Sequence, residues 1–203
     1  MADAIPVPPE ARPFDRCAGH LALDFANAVS ERHTDAPIDR LPTYACLLSF
    51  ARQCDLAPPA QLRRLERRAA GDPEAAIAAR DEAAALREAL YRLFAAIAAG
   101  RAVDPADLAV LNATRVRTRL GRDLEWELAD GPDALDSVLC PIVRSAVDLL
   151  RSPQRERIRV CAADDCVWLF LDTSKNHSRR WCDMKQCGNR AKARRFQRRA
   201  TPR

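Results

Sequence analysis

Apolar residues recur at helical spacing through most of the first 150 positions. The clearest helix follows Asp72, a residue type that caps helix N-termini, and Pro73, which suits the first helical turn. Gly100 supplies a stop signal after it. The apolar stripe between these signals repeats every three or four residues and consists of Leu86, Leu90, Leu93, Phe94 and Ile97.

Shorter segments with the same spacing predict further helices. They span residues 20–29, 43–54, 58–70, 105–114 and 132–150. Pro141 predicts a kink or a broken start in the last of them. Around Gly121 the apolar residues alternate instead, which predicts a small β-hairpin. With 38 alanines and 22 leucines against 11 aromatic residues, the composition also favours a mainly α protein.

Charge divides the chain into two parts. Residues 1–150 carry 18 basic and 23 acidic residues, whereas residues 151–203 carry 15 basic and 5 acidic ones, a net charge of +10. The boundary between the two parts falls near Pro153, which should end the preceding helix. We therefore expect an orthogonal helical domain over 1–154 and a basic module over 155–203 that seeks a polyanion.

Several classes of protein are disfavoured by the sequence. The isolated glycines form no phosphate-binding loop, and no motif of paired carboxylates or activated nucleophiles stands out, so we expect no enzymatic activity. The start lacks the features of a secretory signal, and the longest uncharged run has 11 residues, too short for a membrane span. These features predict a cytoplasmic protein without a membrane partner.

Four cysteines in the basic module occur as two close pairs. Each pair encloses four residues, and 15 residues separate the pairs, a spacing that favours a tetrahedral zinc site. The alternatives are four free thiols, or disulfides in a secreted protein. We expect one structural Zn²⁺, because so small a module has little core of its own. The predicted ligands are Cys161, Cys166, Cys182 and Cys187.

The segments around these pairs predict a treble-clef or ribbon-like zinc finger, with a β-hairpin followed by a helix. Residues 167–172 are the most strand-like run in the chain and are expected to pair with 180–182. The second cysteine pair then opens a helix to about Arg199. His177, between the pairs, either replaces one cysteine or faces solvent; the second alternative is favoured.

The last helix is predicted to bind nucleic acid. A narrow stripe of Asn189, Ala193, Phe196 and Ala200 is expected to pack on the finger, which leaves a face of basic residues without acidic partners. A solvated charged face, or another acidic partner, is the alternative. The predicted DNA-binding residues are Arg179, Arg180, Arg190, Lys192, Arg194, Arg195, Arg198 and Arg199, with Arg194 and Arg198 placed centrally for base contact.

The remaining polar and thiol groups give weaker signals. Asp24 and Asn27 lie one turn apart and could line a ligand pocket, or could hydrogen-bond within the core. Cys17 and His20 have the spacing of half a metal site, but no second half is visible. We expect the four cysteines outside the finger to be small, buried apolar side chains; they are Cys17, Cys46, Cys54 and Cys140.

Residues 161–199 closely resemble the bacterial CGNR zinc fingers, through the signature that begins at Cys187 and the stretches 168–174 and 180–182. Residues 19–27 resemble the opening of the ABATE domain that precedes this finger, although Ala28 stands where Thr is expected. The resemblance implies zinc on the four cysteines, and it implies a stress-induced transcription regulator that binds DNA.

The signature residues have separate predicted roles. Gly188 would let the backbone crowd the metal or its neighbours, and the amide of Asn189 would tie the helix to the knuckle. Arg190 would begin the basic face or, alternatively, pair with Asp164 or Asp165.

The leading hypothesis is a DNA-binding transcription regulator. Its zinc finger would contact double-stranded DNA, and its helical domain would sense a signal or form a homo-oligomer. An RNA- or ribosome-associated factor and a zinc-stabilised protein-interaction module are the alternatives. Because the two domains are expected to pack separately, chelation would unfold the finger alone.

Overall fold

The computed structural model describes residues 12–114, 118–120, 122, 126–128 and 131–200 of the 203-residue chain. Residues 118–120, 126–128 and 198–200 are described by their backbone alone.

Helices dominate the described part of the chain. In the N-terminal part they are α1 (Leu21–Ala26), α2 (Tyr44–Gln53), α3 (Pro59–Gly71), α4 (Pro73–Ala98), α5 (Pro105–Ala113) and α6 (Cys140–Arg151). The final helix, α7, spans Asn189–Ala200. These elements confirm the predicted mainly α class.

Side-chain caps explain why three of these helices begin where they do. The side chains of Thr43, Asp72 and Asp104 each accept a hydrogen bond from a backbone N–H in the first turn of the following helix. Such bonds satisfy donors that have no partner within the helix. Helix α4 thus starts at the predicted cap.

Two of the three short antiparallel ladders among the described residues belong to the N-terminal part. The predicted hairpin is present, since β3 (Thr118–Leu120) pairs with β4 (Trp126–Leu128); the predicted turn residue Gly121 lies outside the described residues. A second ladder, β1 (Val29–Ser30) with β2 (Ile38–Asp39), was not predicted. Its strands have two residues each, too few for an alternating pattern to show.

The segment 132–150 was predicted to be helical with a kink or a broken start at Pro141, and the broken start is confirmed, although the residues before Ser137 are not helical. Helix α6 begins only at Cys140, after a 3-10 turn at Ser137–Leu139. Pro141 occupies the first turn, where its missing N–H costs no hydrogen bond.

The finger hairpin differs from the predicted one. Strand β6 (Leu169–Leu171) pairs antiparallel with β5 (Ile158–Val160), which precedes the first cysteine, instead of with residues 180–182. In this register Ile158 lies opposite Leu171 and Val160 opposite Leu169. The pairing buries Ile158 and all three residues of β6, which explains why it is preferred.

One hydrophobic core runs through the helical body and the finger. Phe170 of β6 is fully buried, and it belongs to the same cluster as Phe25 of α1 and Phe94 of α4. Strand β6 contacts α1 and α4, and β5 contacts α4. The expectation of two separately packed units is therefore wrong, because the finger hairpin covers apolar surface of the helices.

Among the described residues, every helix is either too short or too polar to cross a lipid bilayer.

Candidate metal centre and basic helix

The four predicted ligands come together in space. The sulfur atoms of Cys161, Cys166, Cys182 and Cys187 all lie within 4.8 Å of one another. Cys182 is central, with its Sγ 3.7 Å from that of Cys166 and 3.6 Å from that of Cys187. His177 is exposed in the loop between the pairs and lies outside this cluster.

The spacing of the sulfurs fits a tetrahedral zinc ion. Zinc–sulfur bonds of about 2.3 Å place the four sulfurs of a tetrahedron about 3.8 Å apart. The Cys182 separations of 3.6 and 3.7 Å are close to that value. Because all four positions are supplied by thiols, the site is closed and structural.

Backbone hydrogen bonds shape the two knuckles. The N–H of Cys161 donates to the carbonyl of Trp168 (2.8 Å), and the N–H of Cys166 donates to that of Ala163 (3.0 Å). In the second knuckle, the carboxylate of Asp183 caps a π-helical turn at Met184–Gly188 by accepting from the first backbone N–H groups. Each pair of thiols is thereby turned inward.

Thiols packed this closely shift one another's pKa. Hydrogen bonds from Cys166 and Cys182 lower the pKa of Cys161 to about 2. The contact with Cys161 in turn raises the pKa of Cys166 to about 12 and raises that of Cys182. These opposite pKa shifts arise because one thiolate disfavours ionisation of its neighbours. A divalent cation would remove this effect, since it favours the thiolate form of all four groups.

A fifth cysteine lies beside the cluster. The thiol of Cys17 hydrogen-bonds with Cys182, which lowers the pKa of Cys17. Cys17 also lines a cavity of about 190 Å³ whose wall includes Cys166, Cys182 and Cys187. Sequence reasoning noted the spacing of Cys17 and His20 but could not show that the thiol faces the finger, 165 positions along the chain.

Arg179 joins the finger to the N-terminal segment and is not a free surface cation. Its guanidinium donates to the carbonyls of Trp181 (2.9 Å), Cys17 (2.8 Å) and Cys182, and it stacks 4.6 Å from the Phe170 ring centroid. These contacts use the side chain within the protein. They correct its predicted place among the DNA-binding residues.

Arg190 and Arg194 face the finger, whereas the prediction placed them on the outer face of α7. Arg194 donates to Oδ2 of Asp165 at 2.7 Å, and Arg190 approaches the same oxygen at 3.3 Å. Arg190 also donates to Cys187 Sγ at 3.2 Å, a contact that stabilises a ligating thiolate. The alternative pairing of Arg190 with Asp165 is therefore the one that forms, and base contact by Arg194 is not supported.

The predicted inner stripe of α7 lies on the outside. Asn189 and Ala193 are exposed, and Phe196 retains 75% of its accessible surface. The ion pairs with Asp165 turn the opposite face of the helix inward, so Asn189 does not tie the helix to the knuckle. At Gly188, a Cβ atom would lie 2.5 Å from the Sδ of Met184, so the crowding neighbour is this side chain.

Among the other predicted contacts, Arg180, Lys192 and Arg195 are exposed. Arg198 and Arg199 lie in α7, but their side chains are outside the described residues.

Two family profiles match the chain. Residues 157–200 match the CGNR zinc finger. Residues 19–153, more than half of the chain, match the ABATE family, described as "Putative stress-induced transcription regulator". The chain belongs to the ABATE family. No curated protein sequence matches it.

The ABATE part and the CGNR finger are linked by Asn27, for which a ligand pocket and a hydrogen bond within the core were the predicted alternatives. Its side-chain nitrogen donates to the carbonyl of Leu169 (2.8 Å), and its oxygen accepts from the N–H of Leu169 (2.9 Å). Asn27 is only 3% exposed. The pocket role is therefore wrong for Asn27. Its side-chain amide instead pairs with the backbone of strand β6 through two hydrogen bonds, as a neighbouring strand would.

Further hydrogen bonds cross the same boundary between the ABATE part and the finger. The indole of Trp168 donates to the carbonyl of Val29 (3.2 Å), and the hydroxyl of Tyr91 donates to that of Val167 (2.9 Å). Pattern analysis of either segment alone gives no signal for these contacts, because each partner is a backbone carbonyl.

Asp24 of the ABATE part holds the segment before α1, which contacts the finger. Its Oδ1 accepts from the N–H of Ala18 (2.9 Å), and Ala18 in turn accepts from the N–H of Leu171 in β6 (2.8 Å). Burial raises the pKa of Asp24 to about 6, against the lowering influence of Ala18 and Arg16. The pocket role is not supported for Asp24 either, because its carboxylate is used in this contact.

We expect Asp24→Asn to change how stability depends on pH. Because the folded-state pKa lies above the usual 3.8, ionised Asp24 is disfavoured in the folded protein, and wild-type stability falls as pH rises from 4 through 6. Relative to the variant, the wild type should lose about 1 kcal/mol of unfolding free energy between pH 5 and pH 8. Urea unfolding of both proteins at the two pH values measures this difference. If the unfolding free energies of the two proteins changed equally between pH 5 and pH 8, the pKa of Asp24 in the folded protein would not be raised.

Proposed function

We propose that this ABATE protein is a transcription regulator whose CGNR finger binds double-stranded DNA through the outer face of helix α7. The observation that carries the proposal is the set of cations that the fold leaves exposed there. Lys192 and Arg195 project from the described part of that helix, and Arg180 is exposed on the preceding segment. The family description, a transcription regulator, agrees with such a role.

The metal centre supports this function by fixing the helix. Helix α7 begins two residues after the ligand Cys187, and Arg190 and Arg194 bind it to Asp165 of the first knuckle. A rigid helix keeps its exposed cations in position, which lowers the entropy that binding must overcome. The helical body would then sense a signal or pair two copies of the protein on neighbouring half-sites.

The affinity for DNA should fall as the salt concentration rises. The steepness of this fall reports the number of phosphate contacts. If four or five of Arg180, Lys192, Arg195, Arg198 and Arg199 neutralise phosphates, the slope of log K against log salt should be about −4. We expect Arg195→Ala to weaken binding and to make that slope less steep by about one. Fluorescence anisotropy with a labelled random-sequence duplex, at several salt concentrations, gives both quantities.

Arg194→Ala is the matched control, because it removes the neighbouring arginine that is paired with Asp165. Its salt slope should equal that of the wild type. Equal slopes for the wild type and Arg195→Ala would contradict the proposal. Preference for an RNA duplex would favour the RNA-associated alternative, and absence of nucleic-acid binding would favour a protein-interaction module.

A further inference from the structure

Phe196 is the most exposed large apolar side chain in the described part of the chain, at 75%. It lies on a helix whose inward face is occupied by arginines paired with Asp165. An aromatic ring left in water gives up about 2 kcal/mol or more of the free energy that its burial would provide. A partner that covers the ring would recover this free energy.

The surroundings of Phe196 indicate the chemistry of that partner. Lys192 and Ala193 lie one turn before it and are exposed, and Arg195 is exposed beside it. The ring is thus accessible past a small residue and is bordered by positive charge. Such a surface suits a polyanion that carries apolar groups between its charges.

The shape of this surface favours a duplex over a single strand. Helix α7 has 12 residues, and a helix with its side chains is about 10–12 Å wide, which matches the major groove of about 12 Å. Single strands are held in grooves of the protein, whereas α7 presents a convex surface. In the major groove the apolar group offered by the bases is the C5-methyl of thymine.

We propose that Phe196 contacts thymine methyl groups in the major groove and gives the finger a preference for A·T-containing sites. This inference rests on the proposed function, because it requires that α7 enter the groove of a DNA duplex. Lys192 and Arg195 hold the phosphates, and the ring distinguishes thymine from bases without a methyl group. Phe196 thereby takes a base-reading role, which the sequence suggested for Arg194 and Arg198.

The test compares two duplexes that differ only in this methyl group. Zinc-loaded full-length protein is titrated against an alternating A·T duplex and against the same duplex with deoxyuridine in place of thymidine. One lost methyl contact corresponds to about 0.8 kcal/mol, so the wild type should bind the uridine duplex about fourfold more weakly. Phe196→Ala should bind both duplexes equally, at about the affinity of the wild type for the uridine duplex.

Lys192→Ala is the matched control on the same face. This variant should bind both duplexes more weakly by the same factor, because it removes a phosphate contact. The fourfold preference for the thymidine duplex should remain. Since Phe196 is exposed, its replacement should leave zinc content and circular dichroism unchanged, which excludes misfolding as a cause.

The outcomes separate this inference from the function on which it rests. Equal wild-type affinity for the two duplexes would overturn the role of Phe196 and leave DNA binding standing. Failure to bind either duplex would overturn both. A sedimenting dimer that Phe196→Ala converts to monomer, with the thymine preference unchanged, would show that a second copy covers the ring and would also overturn the inference.

Discussion

Removal of zinc will destabilise the helical body together with the finger. Without the metal the knuckles lose the bond that closes them, and β6 is no longer held against α1 and α4. Phe170, which is fully buried in the shared core, then becomes exposed. Structural zinc contributes about 10–16 kcal/mol in finger peptides, which is comparable to the whole stability of an ordinary domain.

The measurement is thermal unfolding followed by helical circular dichroism, with and without a chelator. If about 5 kcal/mol of this contribution reaches the shared core, its loss should lower the midpoint by about 10–20 °C. Cys182→Ser should act like the chelator, whereas Cys54→Ser, which changes a half-buried thiol outside the cluster, should retain the zinc-bound midpoint. An unchanged helical transition in the chelated protein would show that the body folds alone.

Asn27→Ala should cost about 3 kcal/mol of unfolding free energy. The substitution removes two hydrogen bonds and leaves the buried N–H and carbonyl of Leu169 without this partner. An unsatisfied buried polar group costs about 1–3 kcal/mol, and two are created.

Asn189→Ala provides the matched control for that measurement. It replaces the same residue type at an exposed position of α7 and should change stability by less than about 0.5 kcal/mol. Urea unfolding of zinc-loaded protein gives both values. A cost below about 1 kcal/mol for Asn27→Ala would mean that water replaces its amide.

The metal ligands and the helix starts were predictable because each depends on local chemistry. The two cysteine pairs specify a tetrahedral site through their spacing alone, whatever lies around them. Likewise, Asp72 caps α4 through a bond to Ala75, three residues away. The pattern within a short segment contains all of this information.

The inward face of α7 and the partner of β6 were not predictable in this way. The apolar residues of α7 lie on the stripe through Phe196, which would be expected to face inward. Instead, Arg190 and Arg194 both pair with Asp165, so their face of the helix is turned toward the finger. Hydrophobic periodicity gives no weight to an acceptor that lies 25 to 29 positions earlier. The same limit hid the bond between Asn27 and Leu169, since each residue looks ordinary within its own segment.

The bond between Asn27 and Leu169 spans 142 positions of the chain. At about 5–20 residues per second, the ribosome needs roughly 7–28 s to make the intervening segment. Helix α1 therefore leaves the exit tunnel long before β6 exists, and the apolar surface that Phe170 later covers stays open during that time. Translation speed and chaperones that shield exposed apolar surface should consequently influence the yield of native protein more than they do for a chain with mainly local contacts.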